Sequence, residues 1–364
     1  MHLVLRSASA ALAVLVLAGC GTSSPQARPV AAGAAAVAPG LSSVTPLPDV
    51  RDWDGEVTAV AETPVDPVEA DPEPRLPATV VDAQGTEVTV TDTSRVLALD
   101  VYGTLSRTVF ELGLGDSLVG RDISTDFPEA ADLPLVTENG HELNAESILE
   151  LDPTVIITDT SLGPWDVVLQ MRDAGIPVVV VDSHRGLDNV AELIHQTADA
   201  LGVSQAGDAL ATRTQRQIDD VTAQIAAVAP ADPDRRLRTV FLYVRGQSGV
   251  YYMFGEGSGA DSLIDAIGGY DVAEEIDWRG MRPVTDEGLV AAQPELVLMM
   301  TGGLDSAGGV DGLLKRLPAL ADTPAGRHRR FVAMDDAQIL GFGPVTAGVL
   351  NALAVATYAP VAVS

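Results

Sequence analysis

A chain of 364 residues, 46% of them hydrophobic, is long enough for two domains, each with its own core. It carries 51 acidic against 22 basic side chains, a formal net charge of −29, and a surface of that sign repels phosphate backbones, which excludes nucleic acid as a partner. The single cysteine rules out an internal disulfide and any cysteine-built zinc or iron–sulfur site.

The chain opens like an export signal. Arg6 precedes an apolar run from Ala8 to Ala18 that is too short to span a bilayer, and Leu17-Ala18-Gly19-Cys20 follows directly. This tetrapeptide resembles the bacterial lipobox. The resemblance implies removal of residues 1–19, a diacylglycerol on the Cys20 sulfur, and anchorage to the outer face of the cytoplasmic membrane. An ordinary signal peptide with an incidental cysteine is the alternative. Residues 20–76 come next, and the stretch from 21 to 78 holds 10 of the 23 prolines without a sustained apolar period. It reads as a disordered tether.

From Pro77 the pattern changes. Thr79–Val81 and Glu87–Val90, joined through a Gly85 turn, read as a β-hairpin. Strands at 95–100, 118–120, 155–158 and 177–182 then alternate with helices at 104–112, 144–151, 164–174 and 187–201. This predicts an α/β lobe over 77–203 with a largely parallel sheet. Ser204 to Ala229 is an uninterrupted amphipathic pattern ended by Pro230, so a long helix over 204–229 is expected to lead into a second lobe over 230–364. There, strands at 238–245 and 250–254 flank a Gly246–Gly249 turn. Helices follow at 261–267 and 285–292, strands at 295–300 and 330–335, and a closing helix at 345–358.

Both lobes contain a short helix with an early glutamate, then x-Pro-x, then a buried strand. The first copy runs Leu143-Asn144-Ala145-Glu146-Ser147-Ile148-Leu149 into Asp152-Pro153; the second runs Thr285-Asp286-Glu287-Gly288-Leu289-Val290 into Gln293-Pro294. With the linking helix and the Cys20 motif, this resembles the substrate-binding lipoproteins of iron-chelate, haem and cobalamin ABC importers, over roughly residues 90 to 360. The resemblance implies two α/β lobes on one rigid helix with a ligand cleft between them. It also implies that Glu146 and Glu287 dock the permease of a permease–ATPase complex. On helix chemistry alone, an acid in a first turn also complements the helix dipole.

Five histidines are present, and His2 leaves with the signal. His195 lies in a helix and His328 in an Arg-rich turn, while His184 follows the 177–182 strand and is a weak cleft candidate. No two are spaced i, i+4, which disfavours a many-histidine metal site. His141 follows an Asn139-Gly140 turn at the end of a lobe, where cleft ligands sit; a solvated loop histidine is the plainer possibility. In the second lobe Tyr243 and Arg245 share one strand face. A neighbouring guanidinium favours an anionic phenol oxygen, a hard donor for ferric haem; a half-buried tyrosine with arginine stacked on it is the other reading. Gly140-His141-Glu142-Leu143-Asn144 and Tyr243-Val244-Arg245-Gly246 resemble the HmuT-type haem-binding lipoproteins of Gram-positive importers. That likeness implies His141 and Tyr243 as axial ligands of ferric haem b, with Arg245 hydrogen-bonded to the tyrosine. Upstream surface haem-binding proteins are possible donors of the haem.

Two motifs compete. Gly255-Glu256-Gly257-Ser258-Gly259-Ala260 fits a variant dinucleotide fingerprint, but its preceding strand belongs to a hairpin instead of opening a βαβ unit. Gly246-Gln247-Ser248-Gly249-Val250 lacks the last glycine of a nucleophile elbow. The expected function is therefore haem capture and delivery without catalysis. A ferric-siderophore or cobalamin carrier is the first alternative, and a lipid-anchored haem-processing enzyme or hydrolase is the second.

Overall fold

Three strands whose every residue is buried form the first sheet: Val96–Leu99, Val155–Thr158 and Val178–Val180. They run parallel with Val155–Thr158 in the middle. Continuous aliphatic runs of this kind need cover on both faces. Helices Thr104–Glu111, Ala145–Glu150, Trp165–Asp173 and Val190–Ala200 connect and cover them. The chain is seen here in a computed structural model describing residues 28–29 and 35–363; Cys20 and the signal segment lie outside the described residues.

The helix Ser204–Val228 leaves this lobe with Leu210, Ile218, Val221 and Ile225 buried. It packs against Val190–Ala200 on one side and the closing helix Thr346–Tyr358 on the other. The second lobe is built on a mixed sheet. Its order is Met281–Pro283, Val250–Phe254, Arg238–Arg245, Leu296–Met300, Phe331–Met334 and Glu56–Ala59, with Tyr270–Asp271 beside the start of Arg238–Arg245. The hairpin expected around Gly246–Gly249 is present, with Tyr243 opposite Tyr252 and Arg245 opposite Val250. That pairing removes the βαβ context the 255–260 fingerprint would need. Four short helices between Thr301 and His328 were not anticipated. Leu118, expected in a short strand, makes only an isolated bridge to Val96.

Within the stretch expected to be a disordered tether, the described residues from Leu41 to Ala61 include several buried side chains, and this corrects the reading there. Trp53 is 0% exposed, and Leu41, Val50, Val57 and Ala59 are buried with it. Glu56–Ala59 pairs in parallel with Phe331–Met334 and completes the sheet of the second lobe, although it precedes the first lobe in the chain. Buried Arg330 donates to the carbonyls of Trp53 and Arg51, both at 2.7 Å, and Arg51 pairs with Glu295 at 2.7 Å. Further along, buried Arg107 of the first lobe donates to the carbonyls of Thr63 and Pro64 at 2.7 and 2.6 Å, and Val68 N–H donates to the Glu111 carbonyl at 2.9 Å. The segment therefore straps one lobe and then the other. Prolines spaced along it remove backbone donors without preventing side-chain burial, which is why composition misled.

Candidate functional site

His141 sits in a tight hairpin between Thr137–Glu138 and Glu142–Leu143. Asn139 (φ 48°) and Gly140 (φ 95°) both have positive φ, which the short asparagine side chain tolerates and the missing Cβ of glycine permits. Asn139 Nδ2 donates to Glu142 Oε2 at 2.9 Å and braces the turn. The His141 ring is half-buried, and its Nδ1 is buried with no hydrogen-bond partner. Burial and the Arg245 guanidinium push its pKa below the ordinary histidine value, against a smaller upward pull from Asp336. The imidazole is thus neutral at neutral pH, with a lone pair free. Arg245 and Asp336, the two charges that reach His141, both belong to the second lobe, so His141 lies near that lobe.

Tyr243 and Arg245 lie on one strand, two residues apart, so their side chains leave from the same face. The Arg245 Nε donates to the Tyr243 hydroxyl oxygen, and the guanidinium carbon lies 5.6 Å from the ring centroid. Beyond Arg245 the chain turns at Gly246. A side chain there would strike the helix Thr301–Ala307, since an added Cβ would come within 2.5 Å of the Ala307 Cα. The Gly246 amide instead donates to Ser306 Oγ at 2.8 Å, which fixes where Arg245 ends.

The register extends this face sideways. Tyr243 stands opposite Tyr252, and Tyr252 opposite Pro283. In the next row Phe241 faces Phe254, and Phe254 faces Met281, which is 54% exposed. Tyr243 thus stands beside Tyr252 in the sheet and stacks on Phe254, with ring centroids 6.2 Å apart. The Tyr252 position was calculable from the Gly246–Gly249 hairpin. Asp336, whose Oδ1 accepts from the Gly302 amide at 2.8 Å, carried no sequence signal.

Beneath the rim of the first lobe, the strand ends carry a buried ionic cluster. Arg185 donates to Asp159 Oδ2 at 2.6 Å and Asp100 Oδ2 at 3.2 Å. Asp122 lies beside Asp100 and accepts from its amide at 3.1 Å. Burial, with repulsion from Asp159 on Asp100 and from Asp100 on Asp122, pushes both carboxyls well above the usual carboxylate range, against the pull of Arg185 on Asp100. The cluster holds the 183–187 loop against the second lobe, where Leu187 N–H donates to Ser262 Oγ at 3.0 Å.

The remaining candidates stand apart from the cleft pair. His184 pairs with Asp188 at 3.1 Å, His195 with Asp208 at 3.3 Å and His328 with Asp54 at 2.8 Å. Glu146 and Glu287 are exposed, each in the first turn of its short helix, and among the described residues neither has an ion-pair partner.

Residues 101–337 match the family described as periplasmic binding protein. The chain belongs to the periplasmic binding protein family. Among solved structures, this binding protein is similar to the haem-binding protein HmuT, at 38% identity and a TM-score of 0.81, over 85% of this chain and 99% of that one. HmuT structures in which one arginine, one histidine or one tyrosine is replaced by alanine match equally well. The chain is also similar to the uncharacterised ABC transporter substrate-binding lipoprotein YvrC of Bacillus subtilis, at 22% identity over 74% of this chain and 82% of the relative. A cobalamin-binding protein of Halobacterium salinarum is 27% identical over 65% of this chain and 62% of the relative.

Proposed function

We propose that this protein captures ferric haem b between its lobes and delivers it to an ABC permease, with His141 and Tyr243 as axial ligands and Arg245 holding the tyrosine oxygen. One observation carries the reading. A buried imidazole nitrogen without a partner, on the first lobe, feels the charge of the Arg245 guanidinium that holds the Tyr243 phenol oxygen on the second. An imidazole and a phenol oxygen are both established axial donors for haem iron, and Tyr252, Pro283 and Met281, neighbours in the same sheet, offer aromatic and aliphatic contact to a flat macrocycle. The similarity to HmuT supports the choice of haem over cobalamin or a siderophore.

Two protein ligands fill both axial positions, which favours carriage over oxygen or peroxide chemistry. On this reading the protein is not an enzyme. Delivery would use Glu146 and Glu287 as docking acids on a permease–ATPase complex, with the protein tethered outside the membrane through lipidated Cys20. Replacing Cys20 with alanine then releases the protein from the membrane fraction; retention after a high-salt wash would show that the anchor lies elsewhere.

The central test is an absorption titration with haemin. Tyr243→Ala should change the spectrum most. His141→Ala should shift it while haem stays bound through the tyrosine, and Arg245→Ala should retain haem with a weaker iron–oxygen bond. Wild-type spectra and affinities in both Tyr243→Ala and His141→Ala would refute the assignment and restore the siderophore or cobalamin reading.

A further inference from the structure

The two short helices of the repeated subpattern match at every level. Asn144 caps the first by accepting from the Ser147 amide, and Thr285 caps the second by accepting from the Gly288 amide, each at 3.0 Å. Two residues after each cap stands an exposed glutamate, Glu146 or Glu287. Four residues after it stands a buried anchor, Ile148 at 1% or Leu289 at 0% exposure. Eight residues after it the chain turns through a left-handed residue, Asp152 at φ 44° or Gln293 at φ 42°, immediately before a proline.

The fifth position after each cap is the unexplained one. Leu149 is 40% exposed and Val290 is 54% exposed. Each follows its glutamate by three residues, so aliphatic group and carboxylate are neighbours on one helical face. Packing accounts for Ile148 and Leu289, but it does not account for a large aliphatic left in water at the same place in both lobes. The neighbouring acids are equally unused inside the molecule. A free carboxylate beside an exposed aliphatic is a complete recognition element, with charge for orientation and apolar area for affinity.

We propose that these helices are two equivalent docking pads, in which Leu149 and Val290 enter apolar pockets beside the cations that meet Glu146 and Glu287. The occupant is a membrane-embedded pair of like permease subunits, each offering one basic group next to one pocket. The free acids of an acidic protein complement a basic partner, and the repetition of one pad in two lobes fits a partner that presents the same surface twice. The inference rests on the permease reading above. It adds that the aliphatic residues, rather than the acids alone, supply the affinity. Exposed ion pairs are screened by solvent and salt, whereas a buried aliphatic side chain excludes water.

The test uses full-length protein and the cognate permease–ATPase complex in nanodiscs, with docking affinity, haemin affinity and thermal stability measured for each variant. Leu149→Ser and Val290→Ser should each weaken docking about tenfold. Haemin affinity should not change, and the melting temperature should fall no further than in Leu169→Ser, a leucine of similar exposure. Leu169→Ser, at another exposed leucine, should leave docking intact. If Glu146→Lys with Glu287→Lys abolishes docking while the Leu149 and Val290 variants dock normally, the acids act alone and the pads are refuted. Loss at one aliphatic position only would refute their equivalence. Docking unaffected by all four substitutions would overturn the permease reading itself.

Discussion

Asp271 keeps a carboxylate oxygen, Oδ2, buried without a partner, while Oδ1 accepts from the Ala273 amide at 2.9 Å. Burial, with smaller repulsion from Asp261 and Glu274, pushes its pKa up to about 6. The folded protein therefore holds this proton more tightly than the unfolded chain, whose value is near ~4. The sign follows: this group favours the fold at pH below ~4, and that contribution is lost as the pH rises through 6, to a total of about 2–3 kcal/mol. Asp271→Asn should flatten the dependence of stability on pH between roughly 4 and 6, which thermal melts across that range would reveal. An unchanged slope would mean that Asp271 titrates normally. His141 is shifted in the opposite sense for its own type, since burial and Arg245 disfavour its cation.

At the scale of elements, the hairpin of Arg238–Arg245 and Val250–Phe254 sets the chemistry of the second lobe. Its register puts Tyr252 next to Tyr243, so on the proposed reading a flat ligand held through Tyr243 would rest on the Tyr252 ring. Tyr252→Ala should weaken haemin binding about tenfold while leaving the tyrosine-ligated spectrum in place, in the same absorption titration. Undiminished affinity would place the macrocycle on another wall. This hairpin was legible because alternation and a glycine turn are local signals. So were the Asn144 cap, the linking helix and the three aliphatic strands of the first lobe. Tyr243 and Arg245 could be paired from their spacing alone. The side of His141 that faces Arg245 could not, because it depends on how two lobes close. The helices between Thr301 and His328 escaped notice because they are short and broken by Gly308, Gly309, Pro318 and Pro324. Strand Glu56–Ala59 escaped because four residues paired only at one edge leave almost no periodic trace.

On the scale of the whole molecule, two connections run between the lobes instead of one: the helix Ser204–Val228 and the strap that leaves strand Glu56–Ala59 for the first lobe. Trp53 anchors the strap with no exposed surface. Trp53→Ala should cost about 3–5 kcal/mol in denaturant unfolding. A loss below ~1 kcal/mol would show that the strap is held mainly by its backbone pairing. The same anchorage has a consequence for the order in which the protein is made. The Arg330 side chain closes on the Trp53 carbonyl across 277 residues of chain, and Phe331 pairs with Glu56. Until Phe331 leaves the ribosome, the second lobe cannot finish its sheet, and the segment around Trp53 waits without its partner strand. Contacts this distant form slowly. The open edge of Phe331–Met334 and the side chain of Trp53 are therefore covered only once the two ends of the chain have met.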